Sequence, residues 1–152
     1  MDFLSSLDTK VSDIEKPKDP PVGTYIWKVS KVPVPATSAS GEYAIVEFLV
    51  QAVSAEEDVD PDDLEEFGAV AGIRSKVTFM APTDADKKNE QEKALFNIKN
   101  FCLNILQAEG DDDSSLTEVM SGVAGLQFLG TLSLRHVEDN TYIEVKRPAP
   151  LD

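Results

Sequence analysis

Among its 152 residues the sequence holds one cysteine, one histidine and one tryptophan, and only fourteen lysines and arginines against 28 acids. The lone Cys102 excludes an internal disulfide, which agrees with a reducing compartment. The lone His136 has neither an orienting carboxylate nor a nucleophile placed beside it in the way that imidazole catalysis requires. The longest apolar stretches, such as Ala44 to Val50, are broken by charge and fall far short of the roughly 20 residues that cross a bilayer, so no membrane partner is expected. The start, Met1 to Asp8, lacks the basic and apolar regions of a secretory signal, and a cytoplasmic location is the expectation.

Other signatures are missing as well. Gly122, Gly125 and Gly130 do not have the spacing of a dinucleotide-binding loop, and there is no zinc pattern. Asp58 to Asp63 begins like a calcium loop, but the sixth position is Asp63 where glycine is needed and the twelfth is Ala69 where a bidentate glutamate is needed. No cofactor or metal is therefore expected. With no catalytic constellation in view, the chain reads as a non-enzymatic protein.

What is present is a foldable composition, 41% hydrophobic and 28% charged, in a chain of single-domain size. The net charge of −14 ordinarily argues against a nucleic-acid partner, yet eight of the acids lie between Glu56 and Glu66 with no base among them. That run predicts a solvated, mobile insertion within residues 54–71 that contributes little to folding. Residues 1–21 read as an N-terminal arm, in which Leu4, Leu7, Val11 and Ile14 recur at helical steps before the proline-rich end at Pro17, Pro20 and Pro21. The domain proper is expected over 22–152.

Gly23 to Val32 is aromatic and β-branched, as a first strand should be, and Tyr43 to Val53 is an apolar run suited to a central second strand. Gly72 to Met80 alternates, with Ile73, Val77 and Phe79 on one face and Arg74, Lys76 and Thr78 on the other. Thr83 and Asp84 follow it and are available as helix caps. From Glu90 to Gln107 the apolar spacing predicts a long helix burying Leu95, Ile98, Phe101, Ile105 and Leu106, with Cys102 packed on the same face. Ser115 and Glu118 have capping-box spacing for a short second helix. Leu126 to Val137 and Thr141 to Arg147 predict a closing hairpin. Three strands, a helix and two strands is the order of a five-stranded, OB-like, curved antiparallel barrel, mainly β with a long helix between strands 3 and 4.

Pro21-Val22-Gly23-Thr24-Tyr25, the hairpin at Gly41, the helix ending near Gly110 and the strand at Gly125-Leu126-Gln127-Phe128-Leu129-Gly130 resemble bacteriophage single-stranded-DNA-binding proteins of the OB-fold type, over residues 21–147. The resemblance implies a protein that coats single strands during DNA replication and recombination, in the host cytoplasm if phage-encoded. It also implies acidic segments that recruit partners, although here the acidic run is internal where those proteins carry a C-terminal tail.

The residues themselves support a nucleic-acid site in one respect. The first and third strands carry Lys28, Lys31, Arg74 and Lys76 and no acid, and Tyr25, Trp27 and Tyr43 are rings on which bases would stack. These seven form the expected single-stranded-DNA site, without sequence preference. Two readings of them stay open, because alternation puts Tyr25 and Trp27 opposite Lys28: they line a groove, or Trp27 anchors the core and the lysines solvate an outer face. The alternative function is an acidic protein-interaction or phage assembly module, using Glu56 to Glu66 and the arm to bind protein partners with no nucleic-acid face.

Overall fold

The computed structural model describes residues 2–151. It is mainly β, with one antiparallel sheet of six strands: β1 (Gly23–Val29), β2 (Ala36–Thr37), β3 (Tyr43–Ala55), β4 (Arg74–Pro82), β5 (Gln127–Val137) and β6 (Asn140–Ala149). Four short or medium helices accompany it: α1 (Phe3–Ser6), α2 (Pro61–Phe67), α3 (Lys88–Asn100) and α4 (Leu116–Met120). Strand β1 is central, pairing with β3 on one side and β5 on the other; β4 lies outside β3, and β6 outside β5. The two-residue β2, absent from the expected set of five, pairs with the start of β3.

The expected barrel does not close. Strands β4 and β6 approach each other without forming a ladder, and the Ser75 hydroxyl donates to the Ile143 carbonyl at 2.7 Å across the seam. Arg74, Lys76, Thr78 and Met80 all point out from β4, so curvature brings the edges near while the seam stays open on its outer side.

The inner face of the sheet is apolar because alternation puts Tyr25, Trp27 and Val29 from β1, Phe48 and Val50 from β3, and Phe128 and Leu132 from β5 on one side. The bulge in the β1–β3 pairing beside Trp27 does not bring that ring to the Lys28 face. The indole N–H of Trp27 donates to the Gly130 carbonyl at 3.0 Å, which satisfies it in the interior. Gly130 must be glycine: a Cβ there would stand 2.5 Å from Val145 Cγ1 and 3.1 Å from Trp27 Cδ1.

The long helix is shorter than its periodicity predicts. Regular α-helix ends at Asn100 and a π-helical turn, Phe101–Ile105, follows, with the Leu106 N–H reaching back five residues to the Phe101 carbonyl. The extra residue in that turn holds Phe101, Cys102 and Leu106 all in the core, where Ile105 is only half-buried. Phe101 sits among three rings, with centroids 5.0 Å from Phe48, 5.6 Å from Phe79 and 5.4 Å from Phe128. Burial pushes the Cys102 thiol up to about 11, as suits an inert packing residue. Leu95, expected in the core, is 55% exposed, because Ala94 and Ile98 face the sheet and nothing covers the adjoining flank. Thr83 and Asp84 do not cap α3; Thr83 donates to the Gly41 carbonyl and Asp84 accepts from the Asp86 N–H. Ser115 does cap α4, accepting from the Glu118 N–H at 3.1 Å.

The acidic run is folded rather than free. Asp60 caps α2 by accepting from the N–H groups of Asp62 and Asp63, Pro61 opens the helix, and acids in its first turn suit the positive end of the helix dipole. Val59 is 4% exposed and lies against Gly23, whose φ of 140° and missing side chain permit the approach; a Cβ there would stand 2.6 Å from Val59 Cγ2. Asp58 accepts from both the backbone N–H and the hydroxyl of Thr24 at 2.9 Å. These two bonds, the N–H first, hold its carboxyl below the usual carboxylate range.

Stability should respond at each of these contacts. Phe101→Ala should lose about 3–5 kcal/mol in chemical denaturation, since it removes the ring joining α3 to three strands and leaves a cavity. Replacing Glu56 to Glu66 by a short Gly/Ser bridge should lower the melting temperature markedly, and Val59→Ala alone should cost roughly 2 kcal/mol through the two methyl groups removed and the space they leave. The Asp58 clamp adds a pH signature. Its folded-state pKa is depressed, so its contribution is complete above the unfolded value near 4 and fades as pH falls through the lower folded value. Thermal melts of wild type and Asp58→Ala should therefore differ at pH 7 and converge in acid.

Candidate functional site

The open seam between β4 and β6 forms a cleft of about 730 Å³ on the outer side of the sheet. Register places its polar side chains. On β4, Arg74 is opposite Gln51 and Lys76 opposite Leu49 of β3. Across the seam, the two-residue turn Glu138-Asp139 sets Arg135 of β5 opposite Tyr142 of β6, and Ser133 opposite Glu144. Directly paired residues share a face, and the cleft between the two pairs is lined by Arg74, Lys76, Arg135 and Tyr142 together.

Three cations in one cleft of an acidic chain would repel one another unless spaced or paired. Lys76 lies 3.2 Å from Glu47, and Arg135 lies 2.7 Å from Glu144, which Lys146 also approaches at 3.8 Å. Among the described residues Arg74 has no carboxylate partner. The guanidinium of Arg135 also sits over the Tyr142 ring at 5.1 Å, a cation–π contact that holds the ring at the cleft. Tyr142 is 45% exposed, so it offers apolar surface to a ligand as well as a hydroxyl. Thr141, at the end of the cleft, lies 3.1 Å from the His136 imidazole and 3.0 Å from the Lys16 ammonium of the N-terminal arm.

Of the seven residues expected to form a site, Arg74 and Lys76 line this cleft. Lys28 is on the same outer face in a row running Gln127, Lys28, Gln51, Arg74 across four strands, about 10 Å from Arg74 at two strand spacings. Lys31 lies beyond the end of β1 in an exposed loop. Tyr43 is exposed but opposite Pro82, at the other end of the β3–β4 ladder and roughly 27 Å from Gln51 at about 3.4 Å per residue.

Tyr25 and Trp27 are corrections. Both are fully buried, with the Tyr25 hydroxyl donating to the Pro21 carbonyl at 2.7 Å, and neither presents a ring face to a base. Burial, aided by the Asp58 carboxylate, pushes the Tyr25 phenol up to about 12. Of the two readings, the core anchor is the one realised, because inward alternation on a central strand leaves a large ring no other place.

Arg135 and Tyr142 were not singled out from sequence. The strand ends expected from sequence leave a three-residue turn over 138–140, which would set Arg135 opposite Ile143; the two-residue turn of the structure pairs it with Tyr142 instead. Asp58 and Asp60, the first acids of the calcium-like run, are engaged with Thr24 and the α2 N-terminus. Among the described residues no helix is long and apolar enough to cross a membrane. No protein-family model matches the chain, and no curated protein matches its sequence.

Proposed function

We propose that the chain binds single-stranded DNA, without sequence preference and without catalysis, along the β4–β6 cleft, and that its sheet is an OB-like fold opened at that seam. The observation carrying this reading is the gathering of Arg74, Lys76 and Arg135 around an exposed Tyr142 ring, in a chain where acids outnumber bases two to one. Strand order supports the fold reading, with β1 flanked by β3 and β5, β4 and β6 at the edges, and α3 between β4 and β5. OB folds are partly open barrels that take oligonucleotides on the face of their second and third strands and on the loop before the last strand. The corresponding places here are the β3–β4 outer face and the β5–β6 turn, which flank the cleft.

In this reading Arg74, free of a carboxylate, makes the first phosphate contact, while Lys76 and Arg135 exchange their exposed carboxylate partners for phosphates. Such exposed pairs are individually weak, near 0–1 kcal/mol, so the exchange is inexpensive. Tyr142 stacks on a base, and Lys28 extends the cationic path across the sheet. The net charge of −14 slows encounter, but screening over about 8–10 Å separates the cleft from acids farther than that. A replication or recombination role of the phage type accords with this binding mode.

Titration of fluorescently labelled oligo-dT at about 0.1 M salt, where that screening holds, tests the reading. Tyr142→Ala should weaken binding by roughly 1–3 kcal/mol, about five- to 150-fold. Arg74→Glu and Arg135→Glu should each weaken it and reduce the slope of log K against log salt by about 0.7 for each phosphate no longer neutralised. Trp27 emission should show no quenching by direct base stacking, because the indole is enclosed. No response to micromolar oligo-dT would transfer the function to the acidic interaction-module reading.

A further inference from the structure

The flank of α3 turned away from the sheet carries two large apolar side chains that nothing covers, Leu95 at 55% exposure and Phe96 at 65%. Leu95 stands between two hollows. One, of about 380 Å³, is walled by Val46, Phe79 and Met80; the other, of about 420 Å³, is walled by Leu103, Leu116 and Val119, and Phe96 edges it. The N-terminal arm holds another uncovered apolar set, in Phe3, Leu4, Leu7, Val11 and Ile14, all strongly exposed.

The two surfaces are complementary in charge. From Asp2 to Glu15 the arm carries Asp2, Asp8, Asp13 and Glu15 against a single Lys10. From Lys87 to Lys99, α3 and its preceding residue carry four lysines against Glu90 and Glu92, reversing the sign of the chain as a whole. Asp111 and Asp112 edge the second hollow, so the attraction is centred on the helix itself.

The arm also has the right periodicity. Leu4, Leu7, Val11 and Ile14 fall on one face of a continuous helix, yet only the separate turns Phe3–Ser6 and Val11–Asp13 are wound in the isolated chain. A segment this short does not sustain a helix in water, and an apolar groove supplies the burial that joins the two turns.

We infer that the arm of one copy docks as an amphipathic helix on the α3 flank of a second copy, giving a reciprocal dimer. A second copy is the occupant because the arm is rooted elsewhere on its own chain. Lys16 is bonded to Thr141, which lies beside the Arg74 end of β4, and Lys18 to Glu66 of α2, whereas α3 packs along the opposite end of β4, from Phe79 to Pro82. Only Glu15 separates the apolar stretch from its anchor, which leaves little slack for turning back across the molecule.

Sedimentation velocity on the full chain over a concentration series tests this, with Leu7→Asp to spoil the arm and Phe96→Asp to spoil the groove. Both side chains are exposed, so both variants should keep the wild-type melting temperature. The wild type should dimerise, and each variant should raise the dimer dissociation constant at least tenfold. An equimolar mixture of the two variants should associate more tightly than either alone, since one intact arm then meets one intact groove. Association should weaken with added salt. A chain that is monomeric throughout, a dimer indifferent to both substitutions, or a mixture no tighter than its components would overturn the inference.

Discussion

The burial of Trp27 against Gly130 is the constraint on which the rest of the sheet depends. An indole on the central strand has to be enclosed, its N–H has to find an acceptor, and the neighbouring strand has to lack a side chain where the ring passes. All three conditions meet at Gly130, where the β5–β6 register also shifts. With Trp27 turned inward, alternation commits Tyr25 and Val29 to the core and Lys28 to the outer face. The sheet therefore has one apolar side and one polar side, and any ligand that needs charge must come to the latter.

The acids show how position decides what charge does. Eight carboxylates in eleven residues would repel one another in an extended loop, yet here several have local tasks. Asp60 caps α2, Asp62 and Asp63 sit in its first turn, and Asp58 holds Thr24 at the start of β1. Between these acids a single valine inserts beside Gly23 and converts the segment from an appendage into a lid on the strand start. Glu66 pairs with Lys18, and Glu56, Glu57 and Glu65 face water, where their effect on the cleft is limited by screening.

The π-helical turn performs a similar correction on the helix side. A regular helix through residue 107 would centre Ile105 on its apolar stripe and leave Leu106 at the edge, and one extra residue shifts the phase so that Phe101 and Leu106 both reach the core while Ile105 is half-buried. Phe101 then joins α3 to β3, β4 and β5 through three aromatic contacts. Upstream of the turn only a narrow stripe of α3 meets the sheet, which leaves Leu95 and Phe96 outside. The exposed flank is a consequence of the same geometry that buries Phe101.

Sequence by itself determined the mainly β character, the five longer strands, the inward set Ile73, Val77 and Phe79, the Ser115 cap and the β5–β6 hairpin, because each rests on local periodicity or on a turn of a few residues; it missed the two-residue β2 and the α2 helix. It also placed Arg74 and Lys76 on an outward face. It did not decide between a stacking and a core role for Tyr25 and Trp27, since alternation divides a strand into two faces without saying which is covered. Packing against β5 and the N-terminal approach at Pro21 decided that. Nor did it bring Arg135 and Tyr142 to Arg74, because their proximity arises from curvature closing β6 toward β4, a contact between residues 68 apart. The acidic run was legible as a solvated insertion and not as a folded one, because Val59 finds its place only against Gly23, some 36 positions earlier. Tertiary structure decided these points for one physical reason: burial and convergence depend on what the far strands cover, and no local pattern carries that information.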